Sequence, residues 1–197
     1  DDKDLYLRYA GVLALSRIGD IDPIIALTGN PNKSLRLAAV LVLRKLRNPY
    51  IVKFLNDEDE YIVTEAARAI NDDLSIESAL PQLAAVLGED RFTSEPLLRR
   101  AIDASLRVGG HKEMNLLIAF ANRKDVSTEL RAEALATLGT WTNPSPLDRV
   151  DGRYRGEIKR DAGPVIAKVK ANMKNFLQEK DPVVLVAVAQ MLGNLGI

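Results

Sequence analysis

The chain has 197 residues, 47% of them hydrophobic, with 27 Lys+Arg against 27 Asp+Glu and no cysteine. Such a balance lacks the whole-chain basic field of nucleic-acid or anionic-membrane binders, and no apolar run is long enough to span a bilayer. The absence of cysteine excludes disulfides, thiolate nucleophiles, zinc–thiolate sites and c-type haem attachment within this segment. Charge is not evenly spread: residues 1–90 carry 10 basic and 15 acidic side chains (−5), whereas 91–197 carry 17 and 12 (+5).

An aliphatic pair eight residues apart recurs six times: Leu7/Leu15, Leu35/Leu43, Ile62/Ile70, Leu98/Leu106, Leu130/Leu138 and Val184/Leu192. Around the second residue of each pair, most residues at −8, −5, −4, −1, 0 and +3 are apolar or small, the spacing of one stripe along an α-helix, with Glu65, Asp73 and Glu133 the charged departures. The stripe in the first unit is Leu7, Ala10, Gly11, Ala14, Leu15 and Ile18, with small residues where neighbouring helices would approach closely. Eleven residues before each anchor stand Asp4, Asn32, Asp59, Glu95, Ser127 and Asp181. All but Glu95 are good helix N-caps, and at the fourth helix Thr93 or Ser94 can cap instead. Between these B helices, shorter apolar segments at 22–29, 49–56, 77–88, 111–122 and 164–179 read as A helices. The anchors are 28, 27, 36, 32 and 54 residues apart, the period of a two-helix repeat.

The last and longest interval contains the segment 142–163, an inserted charged loop with Arg149, Arg153, Tyr154, Arg155, Lys159 and Arg160 among four acids. Long loops inside compact arrays are functional or disordered, and Arg and Tyr are favoured at interfaces. This loop is therefore expected to be ordered against the array or a neighbour, with Tyr154 at least partly buried and Arg153 or Arg155 paired to a carboxylate. A second candidate contact surface lies opposite the core stripe in the first two repeats. Tyr9, Val12 and Leu13, then Leu37, Val40 and Leu41, make those helices apolar all round, so this face is expected to be buried by another domain, another copy or an unusually tight superhelical turn.

Other constellations read as structural. Arg8, Arg36, Arg99 and Arg131 each stand seven residues before an anchor, and a repeating Arg beside repeating acids is expected to bridge adjacent units rather than bind phosphate. Asp57-Glu58-Asp59-Glu60 lacks the glycine and distal Glu of a calcium loop, which leaves a capping and solvated role at a helix start. His111 is the sole histidine and is expected to be exposed and non-catalytic; Trp141, the sole tryptophan, sits at +3 of the fifth stripe and is expected in the core.

The stretch from Leu7 to Asp20 (LRYAGVLALSRIGD) resembles the B helix of a HEAT repeat, and Leu130 to Gly139 (LRAEALATLG) repeats the match. The resemblance covers the chain outside 142–163. It implies an all-α, right-handed HEAT-type α-solenoid of antiparallel helix pairs, about 11 helices, with an extra B helix first. A single domain over 1–197 is expected: repeats 1 to 5 in 1–141, the loop, and the last repeat in 164–197. Leu97 to Gly110 and Leu130 to Asp161 are similar, more narrowly, to the HEAT segment of large secreted planctomycete-type bacterial proteins. There such repeats lie between a sugar-dehydrogenase-like β-propeller and a c-type cytochrome domain. This chain carries neither a propeller nor a CxxCH, so redox chemistry would belong to neighbours. That likeness implies an extracytoplasmic (periplasmic or secreted) location.

The expected function is a non-catalytic protein-interaction scaffold or rigid inter-domain spacer, without catalytic, metal or cofactor residues. Its partners would be proteins or neighbouring domains of the same chain, not nucleic acid or membrane. A HEAT-fold nucleic-acid binder or DNA-base repair protein is the alternative, and an enzyme-associated module like the HEAT-type bilin lyases a further one. The chain is also expected to be a piece of a longer protein, prone to end-to-end self-association.

Overall fold

The computed structural model describes residues 4–72 and 76–197. Over these the fold is all-α, with one isolated antiparallel bridge between Leu147 and Tyr154. The chain divides into two compact units, Asp1–Leu83 and Ala84–Ile197, and each is described by itself.

The first unit contains α1 (Leu5–Ile18), the short α2 (Asp22–Ile25), α3 (Lys33–Leu46), a 3-10 helix over Pro49–Asn56, and α4 (Glu60–Asn71). A further 3-10 turn, Glu77–Ala79, leads into α5 (Leu80–Ala85), within which the division falls. Each long helix starts where a side chain can satisfy free backbone N–H groups. Asp4 Oδ1 accepts from Tyr6 N at 2.8 Å, Asn32 from Ser34 N at 2.9 Å, and Asp59 from Tyr61 N at 2.9 Å. At the other end of α3, Arg47 takes the left-handed conformation (φ 50°) that Gly19 supplies after α1. α3 packs against both α1 and α4, and Pro49–Asn56 packs on α3 and α4. Stripe residues Ala39, Val42 and Leu43 of α3 and Ile62, Ala66 and Ile70 of α4 are buried. Full burial of each Val, Leu or Ile side chain stabilises by about 1.5–3 kcal/mol, so these stripes decide the stacking of the helices.

α1 departs from the expected stripe. Leu7 and Ile18 are 69% and 72% exposed, whereas Val12, on the opposite side, is buried. The cause is that α1 packs on α3 through the Val12 side. Gly11 likewise has no neighbour within 4 Å of an added Cβ, so its smallness serves no close contact.

The second unit opens with a 3-10 turn at Val86–Gly88, followed by α6 (Glu95–Val108), α7 (His111–Ala121) and α8 (Thr128–Gly139). After the loop come α9 (Gly163–Ala171), α10 (Met173–Leu177) and α11 (Pro182–Leu195), so the single helix expected over 164–179 is interrupted at Asn172. Ser94 takes the N-cap place of α6, with Glu95 and Pro96 as its first helical residues. Ser127 and Asp181 cap α8 and α11. α8 lies against α6, α7 and α11. Its approach to α11 is close: a Cβ on Gly139 would stand 3.0 Å from Met191 Cα, a distance that any larger residue would force apart. Leu98, Ile102, Leu130, Ala134, Leu138, Val184 and Met191 form the buried stripes here.

Candidate functional site

A groove of about 610 Å³ runs over the first unit, lined from α1 by Leu5, Arg8, Tyr9 and Val12. From α3 and its end come Leu41, Arg44, Lys45 and Arg47, with Ala69 and Asp72 at the end of α4 completing the lining. Three of its four cations sit in or just past the last turn of α3, where positive charge complements the helix dipole. Of the surface residues expected from sequence, Tyr9 (65% exposed), Val12 and Leu41 line this groove. Leu13 is half-buried. Leu37 and Val40 are buried, at 4% and 0%, within a helix that packs on α1, α4 and Pro49–Asn56. They belong to the packed interior, which corrects their place among docking residues.

The repeating arginines are mostly occupied in ion pairs. Arg36 Nε donates to Asp57 Oδ2 at 2.8 Å and its Nη2 to Asp57 Oδ1 at 3.2 Å, while Nη1 donates to the Asn30 carbonyl at 2.6 Å. In the second unit Arg131 donates from Nε to the Ala121 carbonyl at 2.9 Å and from Nη2 to Glu179. Arg99 bonds Glu95 within α6 at 2.9 Å and reaches Glu133 of α8. Asp57 and Glu179 each stand two residues before a helix cap. They also accept a backbone N–H there, from Asp59 at 2.9 Å and Asp181 at 3.1 Å. The solvated reading of the acidic run thus holds for Glu58, whose side chain is 88% exposed, but not for Asp57, at 3%. Arg8 differs from the other three in lining the groove.

The loop is tied to its own unit at several points. Asp148 N donates to Arg153 O at 2.8 Å and Arg155 N to Pro146 O at 2.8 Å, closing a small hairpin through Gly152 (φ 72°). Arg155 pairs with Asp148 and Asp151, both at 3.0 Å, and Arg149 donates to the hydroxyls of Thr137 on α8 and Thr140 just past its end. Arg160 lies 4.9 Å over the buried Trp141 ring and donates to the Trp141 and Leu106 carbonyls. Tyr154 is 70% exposed, so its own unit does not supply the burial expected of it, and its backbone bridges to Leu147. Arg153 is half-exposed, 3.6 Å from Asp151.

Between α6 and this hairpin lies a pair that periodicity alone could not reveal, Asp103 on α6 and Asp148 of the hairpin. Asp103 is buried, and its Oδ2 has no hydrogen-bond partner among the described residues. Burial, reinforced by the Asp148 charge, pushes the Asp103 carboxyl up to about 7, while Arg107 and Arg149 oppose the rise. Asp148 is held below the usual carboxylate range: burial acts against this, but the Val150 and Asp151 N–H groups and Arg155 outweigh it. His111 is exposed at the start of α7. Among the described residues no helix is long and apolar enough to cross a membrane. No family model matches the sequence, and no curated protein matches it.

Proposed function

We propose that this chain is a HEAT-type solenoid segment acting as a non-catalytic protein-interaction module, with the groove of the first unit as its contact surface. The single observation that carries this reading is the groove's composition: Tyr9, Val12 and Leu41 in its lining beside Arg8, Arg44, Lys45 and Arg47. Tyr and Arg are the side chains that most often anchor protein interfaces, and a recess with an apolar floor lets them bury area against a partner. The pairing of Arg36, Arg99 and Arg131 with carboxylates also favours a protein partner, since a phosphate track needs its cations for the phosphates. In the setting of the narrower resemblance, such a module would space and hold neighbouring domains of a longer protein.

The test is selection of a displayed library of random 16-residue peptides on the immobilised full chain, beside titration of a labelled 20-base-pair DNA duplex at low salt. Enriched peptides whose binding is lost in Leu41→Glu and in Tyr9→Ala are expected, with no salt-sensitive micromolar binding of the duplex. Failure to enrich any such peptide, or duplex binding of that strength, would contradict the reading.

A further inference from the structure

We propose that the occupant of this groove is an acidic, amphipathic segment of a partner protein, placing aliphatic or aromatic anchors on the groove floor and carboxylates against its rim. The inference rests on the reading of the chain as an interaction module. Residues 1–90 are net acidic, at −5, with only 10 basic side chains, yet four of those ten line this one groove, where Asp72 is the one carboxylate among the described lining residues. Composition therefore predicts the opposite sign to the one found. The helix dipole does not neutralise the patch either: the C-terminus of α3 is worth roughly half a negative charge, against the three cations Arg44, Lys45 and Arg47. Many other charges of this unit are engaged, as with Lys33 on Asp59 at 2.5 Å and Arg68 on Glu65 at 2.6 Å. By contrast, the side chains of Lys45 and Arg47 are exposed and make no ion pair among the described residues.

The floor selects a protein segment over a nucleic acid. Leu5, Val12 and Leu41 offer aliphatic surface, and Tyr9 is the one aromatic side chain among the described lining residues. Single-stranded nucleic acids are held by successive aromatic platforms along a basic track, which this groove lacks. A helix turning anchors at i, i+3, i+4 and i+7 toward an apolar floor suits it better, with Asp or Glu on the flanks of that stripe. The volume of about 610 Å³ holds a few such side chains.

The experiment reads the charge of the peptides enriched from the random library, and their affinity for a charge-reversed chain carrying Lys45→Glu and Arg47→Asp. Both positions are exposed, and Asp tolerates the left-handed backbone at 47, so circular dichroism should confirm an unchanged fold. Peptides rich in Asp and Glu around Leu, Met or Phe, weakened about tenfold or more by the reversal and by added salt, are the expected result. Enriched peptides that are neutral or basic, or that bind the reversed chain within about twofold, would overturn the acidic occupant while leaving the interaction module standing, provided Leu41→Glu and Tyr9→Ala still abolish binding. Absence of any peptide sensitive to those two substitutions would overturn both. A labelled 20-nucleotide oligo(dT) that binds more tightly than the best peptide, and is lost on charge reversal, would overturn the proposal in favour of single-stranded nucleic acid.

Discussion

Arg36 and Asp57, 21 residues apart, form a two-pronged ion pair with both side chains at most 5% exposed, joining the first turn of α3 to the turn that starts α4. Arg131 and Glu179 repeat the relationship between α8 and the turn before α11. In both, the carboxylate also accepts the backbone N–H of the capping residue two positions later, so one acid fixes the neighbouring arginine and the entry of the next helix together.

Removing one partner of such a pair leaves a buried charge uncompensated, which costs about 3–5 kcal/mol. Asp57→Ala and Glu179→Ala are each expected to destabilise by that order. Glu58→Ala, whose side chain is 88% exposed, should fall within about 0.5 kcal/mol of wild type. Urea denaturation of the three variants, compared at constant slope, checks the order.

The Asp103 carboxyl makes stability depend on pH near neutrality. Its folded value, about 7, lies above its ordinary 3.8, so its contribution is fully present below the ordinary value and is lost as pH rises through about 7. Asp103→Asn keeps the shape and cannot ionise. Relative to wild type it should gain melting temperature between pH 5 and pH 8.5; a constant difference across that range would contradict the assignment.

Glu179 titrates in the opposite sense. Its hydrogen bond from Lys124, helped by the N–H groups of Asp181 and Lys180 and by Arg131, holds it well below the ordinary carboxylate range despite burial. The stability it contributes is therefore present above its ordinary value of 4.5 and lost as pH falls below it. Glu179→Gln should be less stable than wild type at pH 7, with the gap narrowing toward pH 2 in thermal melts.

In the loop, amides of Asp148, Gly152, Arg155 and Arg160 donate to backbone carbonyls within the second unit. Hydrogen exchange should find these four protected, with Tyr154→Ala leaving protection unchanged and Asp148→Ala removing it. Uniformly fast exchange over 148–160 would contradict an ordered hairpin.

What was legible in the sequence was local. Asp4, Asn32, Asp59, Ser127 and Asp181 announce helix starts because a cap and its acceptor geometry lie within three residues. The stripes of α4 and α8 are legible for the same reason, since periodicity defines a face without reference to the partner helix. What covers each face was not. Leu7 and Leu15 repeat the pattern of Ile62 and Ile70 yet are exposed, because burial depends on the element laid against them. Asp57 and Glu58 are adjacent and chemically alike, and only the position of Arg36 separates the buried one from the solvated one. The groove was half legible: Tyr9, Val12 and Leu41 stood out as apolar residues off the stripe, but its cations, Arg8 and then Arg44, Lys45 and Arg47, stand more than 30 residues apart in the chain.

The most direct measurement of the account is methyl NMR of the full chain with leucine and valine labels, titrated with the best peptide from the library. The predicted result is shifts concentrated at Leu5, Val12 and Leu41, lost when Tyr9→Ala and the charge-reversed chain are titrated in the same way. Shifts confined to Val165, Val184 and other methyls of the second unit, with Val12 and Leu41 unmoved, would contradict a binding groove on the first.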